Sequence, residues 1–165
     1  MSEAEKRLAA LGITLPEAAA PVADYRPYAL AGGLLFVSGQ IPLRNGALAF
    51  AGQLGRDCSL EEAQEAARIC AINCIAQARA ALDGDLERVR QVVKLTGFVS
   101  ASADFTEHPK VVDAASAIMT AAFGEAGRHA RAAVGCSSLP LGAPVEVEAV
   151  FLVGQQPGES DHGGI

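Results

Sequence analysis

Apolar and polar residues alternate between residues 145 and 148, in the stretch Val-Glu-Val-Glu, and an apolar run to residue 153 follows. A period of two is the mark of a strand with one buried face. Val145, Val147, Ala149 and Phe151 fall on one side, and Glu146 and Glu148 give way to Val150 and Leu152 on the other. Just before it, GRHARAAVGC reads as a further strand, and the two flank a turn rich in proline and glycine, SSLPLGAP. Helical periods appear elsewhere. Ser2 to Leu11 mixes charged and apolar residues at helical spacing, and Gly12 ends the run. Ser59-Leu-Glu-Glu62 is a capping box that opens the longest helix, to about Leu82. Ala63, Ala66, Ala67, Cys70, Cys74, Ala78 and Ala81 line one broad face of it, with Ile69 and Ile72 beside them. Asp83-Gly84 stops it. A third helix is predicted from roughly Pro109 to Phe123, with Thr106 or Asp104 as its cap and Gly124 at its end.

The remaining segments are extended. Tyr28 to Leu30 and Leu34 to Ser38 read as strands joined by Gly32-Gly33, a hairpin signal. Asn45-Gly46 is a second turn dipeptide, with a short strand expected at Leu48 to Phe50. Leu86 to Arg90 starts a turn of helix, and Val92 to Val99 is a strand rich in branched residues. The order β-β-(β)-α-β-α-β-β predicts an α/β (α+β) domain, a single sheet with two helices packed on one face. The Val145, Val147, Ala149 and Phe151 face is assigned to the sheet's uncovered side, which predicts oligomerisation through it. Residues 1–154 are read as one domain, with the N-terminal helix and a proline-broken connector in 1–24. The tail, residues 155–165, is polar and rich in glycine and is predicted to be disordered.

Composition narrows the class. A chain of 165 residues favours one domain that can bury roughly 70% of its unfolded surface. The net charge of -6, with Lys and Arg scattered, argues against a groove that tracks nucleic-acid phosphates. No signal peptide or membrane-length apolar run is visible, so a cytoplasmic protein is expected. Cys58, Cys70, Cys74 and Cys136 form no CxxC pair. Cys70 and Cys74 share a helix face and read as small core residues, since no second ligand pair appears elsewhere. No metal or cofactor is expected.

Arg131 is the candidate for chemistry. Its neighbours in the sequence are largely apolar, and its planar fork suits an anionic partner. That partner is either a ligand carboxylate or one of the chain's own, Glu146 or Glu148. His129, two residues earlier, shares the strand face of Arg131 and is a possible extra acid–base group or an interface residue. His108 precedes Pro109 and reads as a loop residue at a helix start.

The motifs SGQIP at Ser38 to Pro42 and HARAAVG followed by LPLGAPVEVEA at His129 to Ala149, around a central capped helix, resemble the RidA family over roughly residues 20 to 153. That family is also called YjgF or endoribonuclease L-PSP-like. The N-terminal helix, LGITLP and GRHAR are similar to its divergent YjgF/chorismate-mutase-like endoribonuclease branch. The resemblance implies a chorismate-mutase-like fold, a homotrimer with the sheets forming a barrel inside, and ligand clefts between subunits. It implies hydrolysis of reactive enamines or imines to 2-keto acids and ammonia, without metal or cofactor. Arg131 matches the family's carboxylate-binding arginine and Glu146 its cleft glutamate. Tyr28 matches its first-strand aromatic, and Ser38 and Gly39 its cleft-facing turn. Ala133 stands where the family has a reactive cysteine, and Cys136 lies on the opposite strand face from Arg131. Two other functions stay open: a non-catalytic trimeric binder of small carboxylic acids and, against the acidic charge, an endoribonuclease.

Overall fold

A computed structural model describes residues 1–19 and 25–154. Pro21 of the connector and the tail expected to be disordered lie outside these described residues. The chain begins with helix α1 (Glu3–Ala10), capped by a reciprocal pair: Ser2 Oγ accepts from the Glu5 backbone, and the Glu5 carboxylate accepts from the Ser2 N–H. Strands β1 (Tyr28–Ala31) and β2 (Leu34–Gln40) form the expected hairpin. Gly32 and Gly33 between them have φ of 56° and 76°, the left-handed pair a two-residue turn demands. The Asn45-Gly46 turn joins β3 (Leu43–Arg44) to β4 (Ala47–Leu48), a separate two-stranded ribbon. The short strand therefore starts before the expected Leu48–Phe50 segment and shares only Leu48 with it, because the tight turn pairs the residues that directly flank it.

Helix α2 (Leu60–Ala81) opens on the predicted capping box: the Glu62 N–H donates to Ser59 Oγ at 3.1 Å and the Ser59 N–H to the Glu62 carboxylate at 2.9 Å. Such a cap stabilises a helix by about 1 kcal/mol. The alanine face of α2 lets it lie close to the sheet. Cys70 and Cys74 are fully buried there, and their thiols donate to the Val145 and Val147 carbonyls at 3.6 Å and 3.3 Å. A short turn of helix (Leu86–Arg88) leads into β5 (Val89–Ser100), and helix α3 (His108–Phe123) follows. Neither Thr106 nor Asp104 caps α3; its N-cap is Glu107, without a side-chain bond, and Pro109 in the first turn sets the helical φ instead.

Strands β6 (Ala130–Cys136) and β7 (Val145–Val153) complete a five-stranded sheet of order β1-β2-β7-β5-β6. The two end strands do not pair with each other. Strand β5 lies between them, parallel to β6 and antiparallel to β7. The α3 crossover makes the β5–β6 step parallel, as such connections must. Helices α2 and α3 cover one face, and α1 packs outside against α3. No described helix is long and apolar enough to cross a membrane.

The assignment of the β7 faces is reversed from the expectation. Val145, Val147, Ala149 and Phe151 are at most 2% exposed and lie beneath the helices. The uncovered face carries Glu146, Glu148, Val150 and Leu152, joined by Phe36 and Phe98 from the flanking strands. The cost of burying charge decides it: the helices pack against the uninterrupted apolar row, and the row containing two carboxylates is left uncovered by them.

Candidate functional site

On the uncovered face the β2 strand bulges between Val37 and Gln40, and β7 passes beside it. Gly39 sits in the bulge. A Cβ there would stand 1.8 Å from Glu146 Oε1, so the carboxylate occupies the space that only glycine leaves. Around them opens a cleft of about 340 Å³ lined by Tyr25, Pro27, Gln40 and Leu141, among others. Among the described residues no donor reaches the half-buried Glu146 carboxylate. Burial, and after it the charge of Glu148, push its carboxyl above the usual carboxylate range.

Two predicted residues, Ser38 and Tyr28, do not line this cleft. Ser38 anchors the connector: its Oγ donates to the Arg26 carbonyl at 2.8 Å and its N–H to the Pro27 carbonyl at 3.0 Å. Tyr28 is half-buried against the core, opposite Val37. Tyr25, three residues earlier, is the ring that lines the cleft. The bonds from Ser38 hold Arg26 and Pro27, the residues that follow it.

Arg131 lies on the other face of the sheet. It stands opposite Leu95, which is fully buried beneath the helices, whereas Glu146 stands opposite Phe98. Gly97 and Gly135, on the Arg131 side, confirm the direction: a Cβ on either would strike α3, at Val112 and His108 respectively. Arg131 therefore pairs with neither Glu146 nor Glu148, and its surroundings are polar. Its Nη1 donates to Asp113 Oδ1 at 2.6 Å and to Ser116 Oγ at 3.2 Å. The Arg131 side chain is 24% exposed and that of Asp113 is 64% exposed. His129 joins the same group, with Nε2 3.0 Å from Ser116 Oγ and Nδ1 2.6 Å from the Gly127 carbonyl.

The structure thus gathers Gly39 and Glu146 at one place and Arg131 and His129 at another. Asp113 and Ser116 were not foreseen. A polar pair three apart on an otherwise apolar helix face, VVDAASAI, is the signal that could have found them. Cys136 lies on the Glu146 side of the sheet, where burial first and then the charge of Glu146 push its thiol up. His108 is the first residue of α3 and meets Phe105 edge-on at a centroid distance of 5.1 Å.

Residues 5–152 match the family described as "YjgF/chorismate_mutase-like, putative endoribonuclease". The chain belongs to the YjgF/RidA family. Protein TCP17 of Trypanosoma cruzi is 50% identical over 141 residues, which cover 85% of this chain and 88% of that protein. The crystal structure of Atu1372 from Agrobacterium tumefaciens is 47% identical with a TM-score of 0.87, covering 92% of each chain. Escherichia coli TdcF, solved with bound serine, is 20% identical with a TM-score of 0.62 over 84% of this chain and 94% of that one, a likeness of fold.

Proposed function

We propose that the chain hydrolyses 2-imino acids to 2-keto acids and ammonia, in clefts that two protomers of a homotrimer build together. The observation that carries this is the half-buried Glu146 carboxylate, without a donor among the described residues, beside the Gly39 backbone in a cleft wide enough for a small metabolite. A carboxyl with a raised pKa exchanges protons near neutral pH more readily than an ordinary one. TdcF, similar in fold, holds serine, a small carboxylate, and this supports a ligand of that class here. The cytoplasm, where pyridoxal-phosphate enzymes release such imines, is the proposed site of action.

The chemistry asks little of the protein. A protonated imine carbon is already electrophilic. Water adds to it, the carbon–nitrogen bond breaks, and R–C(=NH2+)–COO− plus H2O becomes R–C(=O)–COO− plus NH4+. Glu146 accepts a proton from the attacking water and returns it to the leaving nitrogen. The Gly39 N–H faces the ligand. Arg131 holds the carboxylate, each charge-assisted bond contributing roughly 1.5–3 kcal/mol.

Within one protomer Arg131 and Glu146 face opposite sides of the sheet and cannot grip one small molecule. Strand β6 is a sheet edge, however, and a neighbour in a ring can present its edge to the cleft of the next. Mixing Arg131→Ala and Glu146→Gln variants tests this. Each alone should release no keto acid from imines generated in situ by an amino-acid oxidase. Refolded together, about a quarter of the clefts should carry both wild-type residues in a cyclic trimer, and activity should return in proportion. Wild-type protein that releases no keto acid, yet binds 2-oxo acids, would favour the non-catalytic binder. Mixed trimers that stay inactive would overturn the shared cleft.

A further inference from the structure

We propose that Ser116 and His129 are positioning residues for Arg131: neither meets the ligand, and together with Asp113 they leave the guanidinium a single fork for a carboxylate. This rests on the reading of Arg131 as a carboxylate binder. The order of bonds begins at His129. Its Nδ1 lies 2.6 Å from the Gly127 carbonyl, and a carbonyl only accepts, so Nδ1 carries the proton. In the neutral ring Nε2 is then an acceptor, and the Ser116 hydroxyl donates to it across 3.0 Å. With its one hydrogen committed to His129, the hydroxyl keeps its lone pairs for Arg131, whose Nη1 donates to it at 3.2 Å. Without His129 the hydroxyl would be free to rotate and donate to a carbonyl one turn back in its own helix. His129 thus acts through a hydroxyl and not on the ligand.

A guanidinium carries five N–H donors, two on each Nη and one on Nε. Asp113 Oδ1 takes one Nη1 hydrogen at 2.6 Å, and Ser116 Oγ takes the other. Both acceptors stand on α3, three residues apart, and so share one face of it. With Nη1 spent, the end-on fork of Nη1 and Nη2 is incomplete. The side-on fork of Nε and Nη2 is whole, and among the described residues neither of these nitrogens has a partner. Only there can a planar carboxylate make two parallel bonds. The guanidinium is therefore clamped on one side and open on the other. Its long stem would otherwise sample many rotamers, and holding it beforehand lowers the ordering cost of binding.

The test is isothermal titration of 2-oxobutyrate into the full chain. Ser116→Ala should weaken binding by about three- to tenfold, the range of one hydrogen bond. Alanine is the better helix former, so the melting temperature should hold. His129→Phe should weaken binding too, and adding it to Ser116→Ala should cost nothing more, because the imidazole acts only through the hydroxyl. The decisive comparison repeats Ser116→Ala in an Arg131→Lys background. A lysine ammonium has no fork to orient, so the Ser116 effect should fall below about twofold there. An equal loss in both backgrounds overturns the inference, since Ser116 would then only shape the fold. So does a Ser116→Ala protein that binds as wild type does, or a double variant whose losses add. Arg131→Ala separates the two layers. If it leaves 2-oxobutyrate binding intact, the carboxylate reading of Arg131 fails and the inference with it; if it removes binding while Ser116→Ala and His129→Phe change nothing, only the positioning fails.

Discussion

The two faces of strand β7 are made from adjacent residues and have opposite fates. Val145, Val147, Ala149 and Phe151 vanish into the core, while Glu146 and Glu148 stay at the surface beside Val150 and Leu152. The covered face stabilises the protomer. The other face keeps apolar area in view: Phe36 is 44% exposed, Val134 44% and Leu152 39%. It is also the face with the cleft. Stability and chemistry are thus sorted by parity along one strand, and a slip of one residue in register would exchange them.

The sharpest way to break this contrast is truncation on both faces. Phe151→Ala should destabilise the fold by about 3–5 kcal/mol, read as the urea midpoint, because it leaves a cavity beneath α2 and α3. Leu152→Ala, the next residue, should shift the same midpoint by less than about 1 kcal/mol in dilute protein. Equal losses would show that both faces are buried in a single protomer. Adding one carbon sharpens the point. Gly97→Ala would set its Cβ 2.4 Å from a Val112 methyl in the packed core and should cost roughly 1–3 kcal/mol. Gly39→Ala faces only the mobile end of Glu146, so the melting temperature should hold while turnover falls at least about tenfold by displacing that carboxylate.

Assembly is the third probe. If the exposed apolar residues meet a neighbour in the proposed trimer, Leu152→Lys should lower the mass measured by light scattering and leave the far-ultraviolet circular dichroism unchanged. The smallest effect concerns pH. The folded pKa of Glu146 is raised, so the native state binds its proton more tightly than the unfolded chain. Stability from this group is then greatest below the unfolded pKa and is lost as pH rises through the folded one. Glu146→Gln should stabilise the protein at neutral pH, by no more than about 1 kcal/mol since water reaches the side chain, and the advantage should fade in acid.

Much of the frame was legible in the residues. The capping box at Ser59 and Glu62, the Gly32-Gly33 and Asn45-Gly46 turns, and the branched run of β5 are local signals, and each stands where its local physics puts it. The choice of face was not local. Alternation says which β7 residues travel together, and the helices decide which set they cover. The partner of Arg131 was equally out of reach, because Asp113 lies 18 residues away on a helix brought alongside by the β5–β6 crossover. Family likeness pointed to Arg131 and Glu146 as one site, yet the protomer sets them on opposite sides of the sheet. The place of Tyr25 at the cleft was out of reach too, because this residue lies outside any element that periodicity marks.

The four cysteines give the molecule a graded clock for its own opening. Cys70 and Cys74 are sealed against β7, and burial drives both thiols far from ionisation. Cys58 is buried too, and its thiol is pushed up to about 11. Cys136 alone is half-open, on the face that carries the cleft. A thiol reagent followed by mass spectrometry should add one label quickly, and that first rate reports whether the face is covered by a neighbour. Labels on Cys70 and Cys74 should come together and later, when α2 lifts from the sheet. The interval between the first label and that pair times the difference between parting from a neighbour and losing the fold.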